Sequence, residues 1–177
     1  HLVDPGMAPY EAGFTDGDGW THGITVMVNG GHPVAAVVID GNVIRGCRNS
    51  YVRVWSQSTE PLVRAARVVI RDNDFSGPVS PIPDPDDGHR SYFPGEYHGI
   101  WVSATDDVVI EGNVVADAYQ SGIRVDSSCS GGIRVQSNVV RRANVSRSST
   151  SPAAYGVDVA DTGSPVSWSK TRTFGPP

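Results

Sequence analysis

The sequence has little cysteine, little lysine and no long apolar run, and each shortage excludes a class of protein. Its two cysteines, Cys47 and Cys129, are too few for a disulfide framework. No stretch approaches the roughly 18 consecutive apolar residues of a transmembrane helix, so no membrane span is predicted. Lysine occurs once, against 13 arginines and 19 acidic residues, and the formal net charge is −5. Binding to a nucleic-acid backbone needs a concentrated positive field, so nucleic acid is not expected as a partner.

The sequence is instead rich in glycine and proline, with 20 and 13 residues, and in short runs of valine and isoleucine. That much glycine and proline would interrupt long helices, whereas alternating Val and Ile favour β-strands. One such run, the first phrase, ends in asparagine and occurs four times, at residues 37–42, 68–73, 108–113 and 133–138. Two places after each asparagine stands a further apolar residue: Ile44, Phe75, Val115 or Val140.

A second phrase, Gly-Ile-x-Val or a close variant, alternates with the first at residues 23–26, 51–54, 99–102, 122–125 and 156–159. Both phrases have period 2, so each is predicted to be a short strand with one face inward. Asn113 and Asn138 are 25 residues apart, which suits one coil of two or three short strands. Like residues then stack in parallel, in-register ladders: Val37/Val68/Val108/Ile133, Ile39/Ile70/Ile110/Val135 and Ile24/Val52/Ile100/Ile123/Val157.

The asparagine that ends each first phrase is interpreted as a turn residue. It tolerates the left-handed αL conformation, and its amide is able to bond to the equivalent asparagine one coil above and below. A degenerate last copy places Val166, Trp168 and Thr171 in the Val, Ile and Asn positions of the phrase. The repeat therefore predicts about five coils.

These motifs resemble the right-handed parallel β-helix of the pectate-lyase-like superfamily, with its generic β-helix repeat. The resemblance implies an all-β solenoid with an asparagine ladder, over residues 23–174, after a leader or partial coil at 1–22 and before a short tail at 175–177. This fold carries lyases, hydrolases, epimerases, tailspikes and adhesins, so the resemblance alone does not select a function.

The coils are unequal in length, and the excess lies between the asparagine turn and the next second phrase. The main insertions are predicted at residues 76–97, which are Pro-rich and acidic, and at residues 143–155, which are Ser-rich. If the coils stack, the insertions project beside the sheet built by the second phrase. Loops on a rigid scaffold often form a binding cleft, although insertions also collect wherever a corner tolerates them.

The outward residues of the second phrase form three predicted columns next to these loops. The first is mainly glycine and predicts a shallow groove: Gly23, Tyr51, Gly99, Gly122 and Gly156. The second holds Thr25, Arg53, Trp101, Arg124 and Asp158, and the third holds Met27, Trp55, Ser103, Asp126 and Ala160. Aromatic faces stack on sugar rings, and Arg and Asp bond to hydroxyls or uronate carboxylates. The columns therefore favour a polysaccharide-binding groove, with Arg53, Trp55 and Trp101 as binding residues.

Asp126 and Asp158 are the best catalytic pair, because neighbouring strands with an offset of two residues place them on one diagonal. That arrangement suits glycoside hydrolysis, with one Asp as acid, the other as base or nucleophile, and Arg124 holding one of them ionised. A lyase would instead use Arg124 or Arg53 as the base. Tyr97 and His98, where the longer insertion enters its strand, and Tyr155 before the last strand are further substrate-contact candidates.

The alternatives to catalysis remain open at this level. In one alternative, Arg124 forms an ordinary surface ion pair with Asp126 or Asp158. In others, His98 has a structural role and the insertions cover the tryptophans. The sequence lacks the full active-site signature of pectate lyases, polygalacturonases or alginate epimerases, so a non-catalytic module, such as part of a tailspike or surface protein, is the second hypothesis. Either role predicts an extracellular location or one on a virion or cell surface.

Two aspartate-rich stretches, residues 16–19 and 84–88, have oxygen ligands suited to Ca²⁺. Neither matches a full calcium-loop consensus, so Ca²⁺ is retained only as an optional cofactor and no metal-ligand residues are assigned.

The opposite, first-phrase sheet has its own outward column, which begins with Val38, Val69 and Val109. Three exposed valines in a row would form an apolar stripe, which predicts contact with a terminal segment or a neighbouring subunit, as in a homotrimer. Strand propensity alone also explains valine at these positions.

Overall fold

The computed structural model describes residues 2–3, 22–28, 34–47, 50–56, 63–79, 98–118, 120–143, 156–160, 163, 165–169 and 171–174. These residues contain sixteen β-strands: β1 (Leu2–Val3), β2 (Ile24–Val28), β3 (Val37–Asp40), β4 (Val43–Cys47), β5 (Val52–Ser56), β6 (Val68–Arg71), β7 (Asp74–Val79), β8 (Ile100–Val102), β9 (Val108–Glu111), β10 (Val114–Ala116), β11 (Ile123–Val125), β12 (Ile133–Gln136), β13 (Val139–Arg141), β14 (Val157–Val159), β15 (Val166–Ser169) and β16 (Arg172–Phe174).

The strands form three parallel sheets, and each turn of the chain adds one strand to each sheet. The second-phrase sheet has the order β2-β5-β8-β11-β14, and the first-phrase sheet has the order β3-β6-β9-β12-β15. The third sheet has the order β1-β4-β7-β10-β13-β16. This arrangement is a parallel β-helix of about five coils, which confirms the predicted fold class. No helix among the described residues is long and apolar enough to cross a membrane.

The predicted inward ladders are all present in register. Val68 pairs with Val37 and Val108, and Ile133 continues that ladder to Val166 of the degenerate last copy. On the second-phrase sheet, Ile24, Val52, Ile100, Ile123 and Val157 follow one another across five strands. The alternation of apolar and polar residues sets this register, because a slip of one residue would turn every buried side chain to solvent.

The asparagine ladder is also present, as a chain of amide hydrogen bonds along one corner. The Nδ2 group of Asn73 donates to Oδ1 of Asn113 at 2.8 Å, and Nδ2 of Asn113 donates to Oδ1 of Asn138 at 2.9 Å. The same Oδ1 atoms accept from the backbone N–H of the preceding asparagine, at 3.1 and 3.0 Å. Each amide thus satisfies buried polar groups in two coils.

The expectation that the asparagine itself takes the αL conformation is wrong. The positive φ belongs to the residue before it, which is Gly41, Asp72, Gly112 or Ser137, at 66°, 54°, 67° and 55°. Turning the chain one residue earlier leaves each asparagine side chain directed along the corner, where it reaches its neighbours.

The apolar residues that follow the asparagines build the third sheet. Phe75 pairs with Ile44 and Val115, and Val140 continues this inward ladder. β7 runs to Val79, so the first residues of the predicted 76–97 insertion belong to a strand. Apart from these residues and Ala143, the two insertions lie outside the described residues, as does the predicted leader except for 2–3 and 22.

Candidate functional site

The outward residues of the second-phrase sheet lie in two rows across the strands, as predicted. Parallel pairing places Thr25, Arg53, Trp101, Arg124 and Asp158 side by side in the first row. Met27 pairs with Trp55 in the second row, and backbone hydrogen bonds beyond the strand ends bring Ser103, Asp126 and Ala160 into the same row. We call these two rows the outward face.

Arg53 and two tryptophans form the centre of this face. The Cζ atom of Arg53 lies 4.4 Å from the ring centroid of Trp55 and 4.5 Å from that of Trp101. Each distance is within the range of a cation–π interaction. The tryptophans are half-buried, whereas Arg53 is only 3% exposed. The prediction that the Arg53 side chain faces solvent is therefore wrong, because the indole rings cover its guanidinium group.

His22 supports Arg53 from the adjacent corner and was not among the predicted residues. Its Nδ1 accepts a hydrogen bond from the backbone N–H of Ser50 at 3.1 Å, and its Nε2 lies 3.2 Å from Nη1 of Arg53. Burial and, to a smaller extent, the charge of Arg53 lower the pKa of His22 to about 3. The sequence contains a signal for this position, since His22-Gly-Ile recurs as His98-Gly-Ile at the start of β8.

His98 occupies the equivalent corner two coils higher and is also buried. Its ring centroid lies 6.1 Å from that of Trp101, with the rings tilted by 54°. This position suits a side chain that packs behind Trp101. Tyr97 and Tyr155, the other predicted substrate contacts, lie outside the described residues.

Arg124 and Asp158 form an ion pair across β11 and β14, in which Nη1 of Arg124 donates to Oδ2 of Asp158. Their side chains are 25% and 16% exposed, so the pair is half-buried at the surface. This is the Arg–Asp contact that the sequence left open, either as a plain ion pair or as part of a catalytic group.

Asp126 lies beside this pair, in the second row. It is half-buried, and its Oδ1 accepts a hydrogen bond from the hydroxyl of Ser127 at 3.2 Å. Because Arg124 pairs with Asp158 in register, Asp126 and Asp158 are diagonal neighbours on adjacent strands. Such diagonals measure about 7–8 Å between backbone positions.

The predicted glycine groove is contradicted by the direction in which those positions point. A Cβ added at Gly122 would clash with Cγ1 of Val140 and would lie 2.8 Å from the carbonyl oxygen of Gly156. Equivalent additions at Gly23 and Gly99 meet Ile44 and Val115, inward residues of the third sheet, and an addition at Gly156 meets Thr173 of the exposed end strand β16. The chain turns its corner at this column, so the column faces the core and lines no surface groove.

Tyr51 stands in the glycine column and shows the same direction. It is fully buried, and its ring stacks on Phe75 with centroids 5.6 Å apart. Its hydroxyl has one proton to share between the carbonyl oxygens of Gly77 and Ala116, the latter at 2.6 Å. Burial raises the pKa of Tyr51 far above its usual value, so the side chain is a neutral part of the core.

The first-phrase sheet departs in part from the predicted valine stripe. Val38 is 61% exposed and Val69 is half-buried, but Val109 is only 8% exposed. The prediction of three exposed valines is therefore wrong at Val109. Contact of this column with a partner subunit stays a prediction.

No group of three or more His, Cys, Asp or Glu side chains within the described ranges is arranged to hold a metal ion. The two aspartate-rich stretches considered for Ca²⁺, 16–19 and 84–88, lie outside those ranges. Calcium binding therefore stays an untested expectation.

Comparison with known proteins supports the same architecture. The family model described as right-handed β-helix region matches residues 18–170, which is most of the chain. No curated protein and no solved structure matches the chain. Three parallel sheets, the asparagine ladder and this family match agree: the chain belongs to the right-handed β-helix family.

Proposed function

We propose that the chain recognises an extracellular polysaccharide on the outward face of the second-phrase sheet and hydrolyses it there. The observation that carries this proposal is the continuous row from the tryptophan-flanked Arg53 to the Arg124–Asp158 ion pair. The row combines aromatic surface for sugar rings with polar groups for sugar hydroxyls.

The size of the face suits a polymer. It spans five strands, which at about 4.8 Å per strand is roughly 24 Å, enough for several sugar units. Polysaccharides of this kind occur outside cells and on their surfaces, so the proposal includes an extracellular, virion-surface or cell-surface location.

Asp126 and Asp158 supply the chemistry in this proposal. Asp158 is the ion-paired carboxylate, so it fits the base or nucleophile, while Asp126 fits the acid that protonates the leaving oxygen. A lyase is less favoured, because Arg53 is covered by tryptophan rings and Arg124 is engaged by Asp158.

Binding is tested with Trp101→Ala on a panel of immobilised glycans. Loss of the ring is expected to weaken binding about tenfold or more, which corresponds to about 1.4 kcal/mol. The matched control is Val38→Ala, which removes an exposed apolar side chain on the first-phrase sheet, away from the outward face, and is expected to change affinity less than about twofold. Equal losses in the two variants would contradict a site centred on Trp101.

Hydrolysis is tested by measuring new reducing ends with Asp126→Asn and Asp158→Asn. Each substitution is expected to lower the rate at least about 100-fold while glycan binding persists. The control is Asp40→Asn, whose carboxylate pairs with Arg71 on the first-phrase sheet, away from the outward face. Cleavage at the wild-type rate in both face variants would overturn the paired-carboxylate mechanism.

A non-catalytic binding or structural module is the second candidate. The Arg124–Asp158 ion pair favours this candidate, because ion pairs between side chains of neighbouring strands are ordinary surface contacts that need no catalytic role. A wild-type protein that binds glycan and releases neither reducing ends nor unsaturated sugars would assign the chain to this class.

A further inference from the structure

We infer, on the basis of the proposed function, that the outward face selects neutral sugars over uronic acids. Recognition of a uronate carboxylate needs an arginine or lysine whose N–H donors are accessible, since such contacts are short, charge-assisted hydrogen bonds. The described outward face has two arginines in its rows, Arg53 and Arg124, and each is already engaged.

Arg53 is not accessible to a ligand carboxylate. Its Cζ atom lies 4.4 Å from the ring centroid of Trp55 and 4.5 Å from that of Trp101. Nε2 of His22 lies 3.2 Å from its Nη1, and only 3% of the residue is exposed. Its structural effect is to hold Trp55 and Trp101 in fixed positions on adjacent strands. It acts as a positioning residue, and the surface it supports is aromatic.

Arg124 is accessible but is neutralised by Asp158 in its own row. A ligand carboxylate would have to displace that aspartate or share the guanidinium with it, next to the second carboxylate, Asp126. The rows contain two arginines and two aspartates, so their charges sum to zero. Arg53 is buried, whereas Arg124 and both aspartates are half-buried. A polyuronate has one negative charge per sugar and would gain no net attraction from such a face.

The long-range field acts in the same direction. The chain has a formal net charge of −5, which repels a polyanion at low ionic strength. Neutral sugars are insensitive to this field, and they bind through ring stacking and through hydroxyls that both donate to carboxylates and accept from Arg124.

The test uses glycan pairs that share backbone and linkage and differ in the carboxylate. Suitable pairs are β-1,4-glucan with its C6-oxidised glucuronan, β-1,4-mannan with polymannuronate, and fully methyl-esterified pectin with polygalacturonate. Association is read within seconds on immobilised chains, before cleavage matters. We expect the neutral member of a bound pair to bind at least about tenfold tighter, with Kd changing less than about twofold between ~20 and ~500 mM salt.

A charge variant provides a second readout. Asp158→Asn frees Arg124 and is expected to raise uronate affinity relative to the neutral partner by about fivefold or more at low salt. Asp40→Asn is the matched control: it removes the same charge and frees Arg71, which lies 2.7 Å from it across adjacent strands, but on the first-phrase sheet. It is expected to leave the preference unchanged.

The outcomes separate the inference from the function on which it rests. Tighter binding of the uronate members, or a wild-type uronate Kd that weakens as salt rises, shows net attraction of the carboxylate, overturns the neutral-sugar inference and leaves polysaccharide recognition standing. An equal response to Asp40→Asn and Asp158→Asn overturns the role of the local Arg124–Asp158 pair. No binding to any member of the panel overturns the proposed function and the inference together.

Discussion

At the scale of single residues, the corner before each second-phrase strand leaves no room for a side chain added at its four glycines. A side chain at Gly122 would enter space occupied by Val140 and the backbone of the next coil. At the equivalent Tyr51, a large ring is accommodated because it stacks on Phe75 and its hydroxyl finds two carbonyl oxygens. The same column therefore accepts either no side chain or one that completes the core.

Gly122→Ala is predicted to destabilise the fold by about 1–3 kcal/mol, because the added methyl overpacks the core. Chemical denaturation followed by circular dichroism measures this change. Gly132→Ala is the control, since its Cβ would meet only Oδ1 of Asp107, at 3.4 Å, and a change within about 0.5 kcal/mol is expected. Equal stability of the two variants would contradict the inward direction of the glycine column.

The buried His22 predicts a pH dependence of stability. Its folded pKa of about 3 lies below the ordinary 6.5, so the unfolded chain binds a proton in the range between these values and the folded chain does not. Stability from this residue is full above pH 6.5 and is lost as the pH falls. Between pH 7 and pH 5 the expected loss is about 2 kcal/mol.

The measurement compares urea unfolding of the wild type and His22→Gln at pH 7 and pH 5. The variant is expected to be less stable at pH 7, because it loses the buried imidazole contacts of His22, and its stability is expected to fall less between the two pH values. An identical decrease in both proteins would show that His22 does not titrate on unfolding in this range.

At the scale of elements, the strands and their register follow from two short phrases. Alternation identifies the inward residues, and repetition of the same residue type pairs them across coils, as at Ile100 and Ile123. The position of the αL turn residue was not predictable in the same way. The four residues with positive φ share a backbone conformation but not a side-chain type: Gly41, Asp72, Gly112 and Ser137. The repeat therefore predicted the turn at the asparagine, which is the constant residue.

The asparagine ladder predicts unequal costs along its length. Asn113→Ala removes the acceptor of the buried Asn73 backbone N–H and the donor to the carbonyl oxygen of Ile70, and is expected to cost about 2–4 kcal/mol. Asn42→Ala, at the half-buried end of the ladder, is expected to cost less than about 1 kcal/mol, because Oδ1 of Asn73 still accepts the hydrogen bond from the backbone N–H of residue 42. Thermal and urea unfolding of both variants test this, and equal costs would exclude the ladder as the cause.

At the scale of the whole molecule, each described strand pairs only with the equivalent strands of the coils beside it, so the described end strands have neighbours on one side. β14 is half-buried and β16 is exposed along its length, whereas the inward residues of β5 through β13 are almost fully buried. In stacked repeats, stability depends on the intrinsic stability of each repeat and on the interfaces between neighbours.

This arrangement predicts graded hydrogen exchange in the 177-residue chain. Amides of β8 and β11 are expected to exchange at least about tenfold more slowly than those of β14 and β16, because end coils open locally without unfolding the centre. Mass spectrometry or NMR at several exchange times measures the gradient. Uniform protection across all coils would indicate that the end strands are covered, for example by a partner.

The solenoid follows from the amino-acid sequence alone: period 2 assigns the strands, and repetition of the phrases stacks them, because both are local patterns that every coil must satisfy. Which residues of the outward face reach solvent depends on how the coils pack in three dimensions. The sequence pattern of the corner glycines is the same whether those positions face a groove or the core. Strand alternation predicts that Arg53 is exposed, but the indoles of Trp55 and Trp101 lie against its guanidinium group. Side-chain burial depends on neighbours from other coils, which the linear sequence pattern does not show. For this reason the pattern predicted a glycine groove, whereas the structure has a tryptophan-lined face with an arginine that is paired to an aspartate.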